Sequence, residues 1–132
     1  MIGIDTNVLV RDAVQDDPIQ SPQARDFLSQ LSESEPGFVS IVTMIEAVWT
    51  LRRAYRIDRD GIFLFVSTLL SAREIVVQAP DVIRRAMNEA RQADAEFADA
   101  VIALLGVDAE CDYTVTFDRA AAELPGTKLL GQ

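Results

Sequence analysis

The order in which strand-like runs and helical periods follow one another restricts the fold of this chain more than any other feature. Short apolar or β-branched runs occur at Met1-Ile2-Gly3-Ile4, Phe38-Val39-Ser40, Ile75-Val76-Val77, Tyr113-Thr114-Val115-Thr116 and, more weakly, Lys128-Leu129-Leu130. Between them lie segments of helical spacing. Asp5-Thr6-Asn7 offers capping side chains ahead of Val8-Leu9-Val10, and a turn-rich loop holding Asp16, Asp17, Pro18, Ser21 and Pro22 precedes a helix with Ala24, Phe27, Leu28 and Leu31 on one face. After the break at Glu35-Pro36-Gly37, the residues Val42, Ile45, Val48, Trp49 and Leu51 predict a largely buried helix reaching about Tyr55. Further helices are predicted over 59–71, 81–91, 95–105 and, briefly, 119–123, with Gly106 as the C-cap of the 95–105 helix. Parallel strands need crossovers of about a dozen residues or more, and such sheets are covered by helices on both faces. The prediction is an α/β protein, a single-domain three-layer α/β/α sandwich with a parallel sheet of about five strands.

Length agrees with one domain over 1–132: the chain has 132 residues, 49% of them apolar, enough for one packed core. Charge interrupts every apolar stretch before the roughly 18 to 20 residues that a membrane helix requires, and the chain enters Ile2 without a basic leader, so the expected location is the cytoplasm. The lone Cys111 cannot form an internal disulfide.

Histidine is absent, and with a single cysteine this removes the usual softer metal ligands and the commonest general base. Any metal must then be held by oxygen, which suits Mg²⁺ or Mn²⁺ far better than Zn²⁺. A net charge of −9 argues against a uniformly basic nucleic-acid surface. It leaves room for a nuclease, because metal ions neutralise an acidic centre and arginines such as Arg52, Arg53, Arg56 and Arg59 can meet phosphate locally.

Most carboxylates fall in polar loops, but three interrupt apolar runs. Asp5 follows the first strand, Glu46 is the only charged residue from Pro36 through Leu51, and Asp99 is the only one from Phe97 through Val107. A carboxylate in such surroundings costs several kcal/mol, of order, unless a cation or several donors face it. Together the three would raise one another's pKa, and a divalent cation among them reverses that balance. Asp118, after Thr114-Val115-Thr116-Phe117, also lies beyond a strand end, where crevices form in open parallel sheets. Structural roles compete with this reading. Asp5 and Asp118 could be N-caps, Glu46 an exposed or arginine-paired helix residue, and Asp99 a satisfied core group. Glu96, one turn before Asp99, is explained by the helix dipole alone, with a supporting role at the site left open. Thr6, Asn7 and Ser40 could orient metal ligands or substrate, or simply cap helices. Trp49 and Tyr55 are read as core packing rather than a base-stacking platform.

With these residues in view, the sequence resembles the PIN-domain family and, within it, the VapC-like toxins. The resemblance rests on Ile4-Asp5-Thr6-Asn7, on Ser40 through Glu46 to Trp49-Thr50-Leu51, on Phe97-Ala98-Asp99-Ala100-Val101-Ile102-Ala103, and on Thr116-Phe117-Asp118, in order across nearly the whole chain. It implies a Mg²⁺- or Mn²⁺-dependent ribonuclease that hydrolyses RNA phosphodiester bonds with metal-activated water, with Asp5, Glu46 and Asp99 as principal metal-site and catalytic acids and Asp118 as the more variable fourth. It further implies the toxin role in a VapBC-type toxin–antitoxin pair, with a VapB-like antitoxin as partner and a homodimer as the assembly.

Two rivals arise from the residues themselves. Asp5 stands where the nucleophile of an aspartate-dependent phosphatase could stand, but Asn7 occupies the place of the second aspartate such chemistry would use. A non-catalytic metal- or partner-binding module, receiver-like, would need a lysine near the last strand. Lys128 is the only lysine, and Glu46 and Asp99 fall on predicted helices rather than strand ends.

Overall fold

The strand-like runs of the first half pair side by side. In the computed structural model, which describes residues 1–131, strands β1 (Ile2–Gly3), β2 (Gly37–Val39) and β3 (Ile75–Val77) form a parallel sheet in the order β1-β2-β3. Ile2 is in register with Gly37, and Val39 with Val77. In β2, Gly37 and Val39 are buried while Phe38 between them is less so, the two-residue alternation of a pleated strand. Each crossover is a helix pair: α1 (Thr6–Val14) and α2 (Gln20–Ser29) join β1 to β2, and α3 (Ile41–Arg53) and α4 (Arg59–Ser71) join β2 to β3. These elements make up one of two compact units, Met1–Gln78. Its core includes Leu9 and Val10 of α1, Ala24 of α2, Met44, Ala47, Val48 and Leu51 of α3, and Ile62 and Val66 of α4. The α3 residues fall at i, i+3, i+4 and i+7, a single buried stripe.

The second unit, Ala79–Gln132, contains α5 (Pro80–Ala93), α6 (Phe97–Asp108), β4 (Thr114–Thr116), a short 3-10 helix (Ala121–Glu123) and β5 (Thr127–Leu129). Val82, Ile83, Ala86 and Ala90 of α5 pack on α6, which buries Phe97, Ala100, Val101, Ala103 and Leu104. The alanines on both helices permit a close approach. Strands β4 and β5 pair in parallel, Thr114 with Thr127 and Thr116 with Leu129. All five predicted strands are present, and every pairing is parallel. Among the described residues no helix is long and apolar enough to cross a membrane.

Three local expectations are corrected. Helix α2 starts at Gln20 rather than after Pro22, because a proline in a first helical turn interrupts no intrahelical bond. Asp17 makes that start possible: its Oδ1 accepts from the N–H groups of Ile19 (2.9 Å) and Gln20 (2.7 Å), and these bonds hold its carboxyl below the ordinary aspartate value. Gly106 is not a C-cap. Helix α6 runs through it to Asp108, and the left-handed residue that ends the helix is Glu110, at φ 64°. A Cβ on Gly106 would lie 2.7 Å from Thr114 Oγ1, so this glycine serves the approach of α6 to β4. Finally, Val42 and Trp49 are exposed by 67% and 59%, not buried. The run from Ile41 to Leu51 is apolar nearly all round, but only the face carrying Met44, Ala47, Val48 and Leu51 meets the core.

Replacing Gly106 by alanine should therefore destabilise the protein by about 1–3 kcal/mol through overpacking, even though alanine in a helix is worth about 1 kcal/mol over glycine. Urea unfolding measures this, and Thr114→Ala in the same chain should recover most of the loss. A G106A protein as stable as wild type would show that the approach to Thr114 does not dictate the glycine.

Candidate functional site

In the first unit the site begins where β1 ends. The Ile4 N–H donates to Phe38 O at 2.9 Å, which extends the sheet contact by one residue and fixes the direction in which the chain leaves it. Asp5 then takes the N-cap of α1 in extended backbone, and its Oδ1 accepts from the Thr6 N–H at 2.8 Å. Thr6 is 92% removed from solvent, with a relative exposure of 8%, and its hydroxyl donates to Glu46 Oε1 at 2.9 Å across forty residues of sequence. One threonine thus ties two of the predicted acids to each other. Asp5 Oδ2 and Glu46 Oε2 make no hydrogen bond among the described residues, so each acid keeps an oxygen available.

Glu46 is placed by the start of α3. Ser40 caps that helix, its Oγ accepting from the Thr43 N–H at 3.1 Å, and Gln78 Oε1 accepts from the Ile41 N–H at 2.9 Å. A serine cap of this kind is worth about 1 kcal/mol. Ser40 therefore anchors the helix that carries Glu46 and makes no bond to an acid. Asn7 is exposed and forms no side-chain hydrogen bond among the described residues.

In the second unit Asp99 occupies the first turn of α6, half-buried and without a side-chain hydrogen bond among the described residues. Burial pushes its carboxyl above the ordinary aspartate value, and the negative charges of Asp118 and Glu96 push it further in the same direction. Asp118 follows β4 and stands in the turn that leads into the 3-10 helix: its Oδ1 accepts from the Ala121 N–H at 3.0 Å, and its own N–H donates to Thr116 Oγ1 at 3.0 Å. Asp5 and Asp99 thus stand at the amino termini of α1 and α6.

The acids are therefore joined within each unit, Asp5 to Glu46 through Thr6, and Asp99 to Asp118 and Glu96 through their fields. Among the described residues no group of three or more Asp, Glu or Cys side chains is drawn together tightly enough to hold a metal ion. The donor chemistry nonetheless suits a hard divalent cation, since every candidate atom is a carboxylate oxygen. The raised Asp99 carboxyl is a second sign of fit, because a nearby cation would relieve the repulsion it feels. Burial itself departs from expectation: Asp5 and Glu46 are exposed although they interrupt apolar sequence, Asp118 is exposed as well, and only Asp99 is partly withdrawn. The backbone bonds that Asp5 and Asp118 accept do not exclude them from a site, since each uses one oxygen. What the sequence reading missed is the outward face of α3, where Trp49 lies one turn beyond Glu46 and Arg53 one turn further, its guanidinium 5.9 Å from the indole centroid. The spacing of 46, 49 and 53 was a legible helical signal, hidden by the assumption that an apolar run is buried.

The family model described as PIN domain matches residues 2–126 of the chain. A search of curated proteins finds no match.

The raised Asp99 carboxyl sets a direction for stability in metal-free protein. Its protonated form is favoured by folding, so its contribution is fully present below pH 3.8 and is lost as pH rises through the higher folded value. At neutral pH the ionised side chain burdens the fold. Asp99→Asn in EDTA should accordingly melt higher than wild type at pH 7, with the gap closing in acid. Equal melting temperatures at both pH values would mean that Asp99 does not feel its neighbours.

Proposed function

Because the chain belongs to the PIN-domain family, a nuclease-type fold whose members are generally metal-dependent ribonucleases, we propose that it hydrolyses RNA phosphodiester bonds with Mg²⁺ or Mn²⁺. The observation that carries this reading is the Asp5–Thr6–Glu46 linkage, in which a buried threonine fixes two carboxylates and leaves an oxygen of each free. Asp5, Glu46, Asp99 and Asp118 supply the oxygen ligands. When bound, the cation supplies Lewis-acid polarisation and charge neutralisation at the phosphodiester. The chain's own contribution is to orient these acids. Backbone N–H groups do so for Asp5 and Asp118, and the Thr6 hydroxyl does so for Glu46. Asn7 and Ser40 serve the same end, Ser40 by holding α3 in place and Asn7 by meeting substrate beside Asp5.

We assign the protein further to the toxin half of a VapBC-type pair, a single PIN domain over 1–132 acting in the cytoplasm as a homodimer and held by a VapB-like antitoxin. The order of the acidic motifs and the strongly acidic charge support this. An arginine on an antitoxin tail would find carboxylates to pair with.

Incubation of the purified chain with cellular RNA, with Mg²⁺, with Mn²⁺ and with EDTA, tests the activity. Metal-dependent cuts should appear with wild type and vanish with Asp5→Asn, Glu46→Gln and Asp99→Asn. Thr6→Val, which keeps the shape and removes the donor, should retain cutting at about one-tenth to one-hundredth of the wild-type rate. Cutting that survives in EDTA, or in all three acid variants, would remove the metal-nuclease reading.

A further inference from the structure

Helix α3 presents an outward face that the chemistry above does not use. Taking 100° per residue, Val42, Glu46, Trp49 and Arg53 lie within about 60° of one another around the helix axis, and Trp49 is 59% exposed although it is the only tryptophan of the chain. An exposed indole offers a broad flat face on which another ring can stack. Its immediate surroundings are cationic. Arg53 lies over the ring, and Arg52 and Arg53 occupy the last turn of α3 with Arg56 just beyond, at φ 54°. Among the described residues none of these three guanidinium groups is in an ion pair, whereas Arg11, Arg25, Arg73 and Arg84 each find a carboxylate. In a chain with 21 acids and 12 bases, three arginines kept clear of carboxylates at one helix end are available to an external anion.

From this combination we infer that Trp49 is a stacking platform for an unpaired RNA base, with Arg53, Arg52 and Arg56 meeting the phosphates beside it. The inference rests on the ribonuclease reading, which it deepens by specifying single-stranded RNA and a direction along α3. Aromatic faces and arginines in one place are the recurrent means by which proteins hold unpaired nucleotides. The rise of about 1.5 Å per residue puts Trp49 about 5 Å along the helix from Glu46, one nucleotide's reach from a candidate ligand of the reacting centre. A base clamped there would fix the register of the strand with respect to Glu46. A duplex, whose bases are already stacked on each other, offers the ring nothing. The positive helix end also answers the difficulty raised by the overall charge, since it is a local anion site on an acidic protein.

The single tryptophan makes the test direct. The full chain in EDTA, where no cutting occurs, is titrated with oligouridylate, with oligoadenylate and with an RNA duplex while indole emission is followed. Both single strands should change the emission and the duplex should leave it nearly unaltered. By anisotropy of labelled RNA, Trp49→Ala should bind the single strands about five- to a hundred-fold more weakly, whereas Trp49→Phe, which keeps a ring, should lose much less. Arg53→Ala should lower the slope of log affinity against log salt by about 0.7. Single strands that bind without altering emission, a Trp49→Ala variant that binds like wild type, or failure of single strands to bind would each overturn the platform. So would an emission change that depends on protein concentration alone, which would mean that a second copy of the chain covers the ring. The two readings fail separately. Metal-dependent cutting with no Trp49 response leaves the nuclease and removes the platform, and a Trp49 response with no cutting in Mg²⁺ or Mn²⁺ leaves an RNA-binding face and removes the nuclease.

Discussion

Parallel pairing of β1 with β2 brings the residues that follow each strand to the same end of the sheet, and the arrangement in the first unit depends on this. Asp5 follows β1, and Ser40 follows β2 and begins the helix that carries Glu46. In an antiparallel pair the two exits would lie at opposite ends, and no side chain as short as threonine could join Asp5 to Glu46. With the strands parallel, a hydroxyl suffices at 2.9 Å. The bond is buried on the threonine side and exposed on the glutamate side. Its stability contribution is therefore modest, of order 1 kcal/mol or less, and its value is orientation.

The second theme is how an acidic chain distributes unfavourable charge. Asp5, Asp17, Asp58 and Asp118 are each held by a backbone N–H, so these four of the 21 acids support turns and helix starts rather than opposing the fold. Asp99 is the exception, carrying a raised carboxyl next to Glu96 and Asp118 without a donor among the described residues. A fold that satisfies its other candidate acids and leaves one unsatisfied marks that position, since structure alone gives no reason to keep it. Arginine is divided in the same way, with Arg11, Arg25, Arg73 and Arg84 answered by carboxylates and those at the end of α3 left open.

Much of this could be read from the chain beforehand, for identifiable reasons. The parallel α/β order followed from segment lengths, because no hairpin turn fits between the strand-like runs. The acids stood out because each is alone among apolar neighbours. Exposure could not be read in the same way. Glu46 and Trp49 sit in one apolar stretch, yet both face outward, because a helix packed on one side buries only the residues on that arc. The hydroxyl bridge of Thr6 was equally hidden, since it joins residues forty positions apart. Gly106 deceived for a different reason. A glycine near the end of a helical pattern looks like a stop, and only the position of Thr114 shows that it marks a close approach.

Among the described residues, five corners are turned by residues with side chains in the left-handed region: Gln15, Arg56, Ala79, Asp94 and Glu110. Each such position costs of order 1 kcal/mol relative to glycine, somewhat less for aspartate, whose short polar side chain tolerates it. At Ala79 and Gln15, which have no such tolerance, glycine would be one ordinary substitution away from relieving the strain. The protein thus carries unspent improvements at its joints.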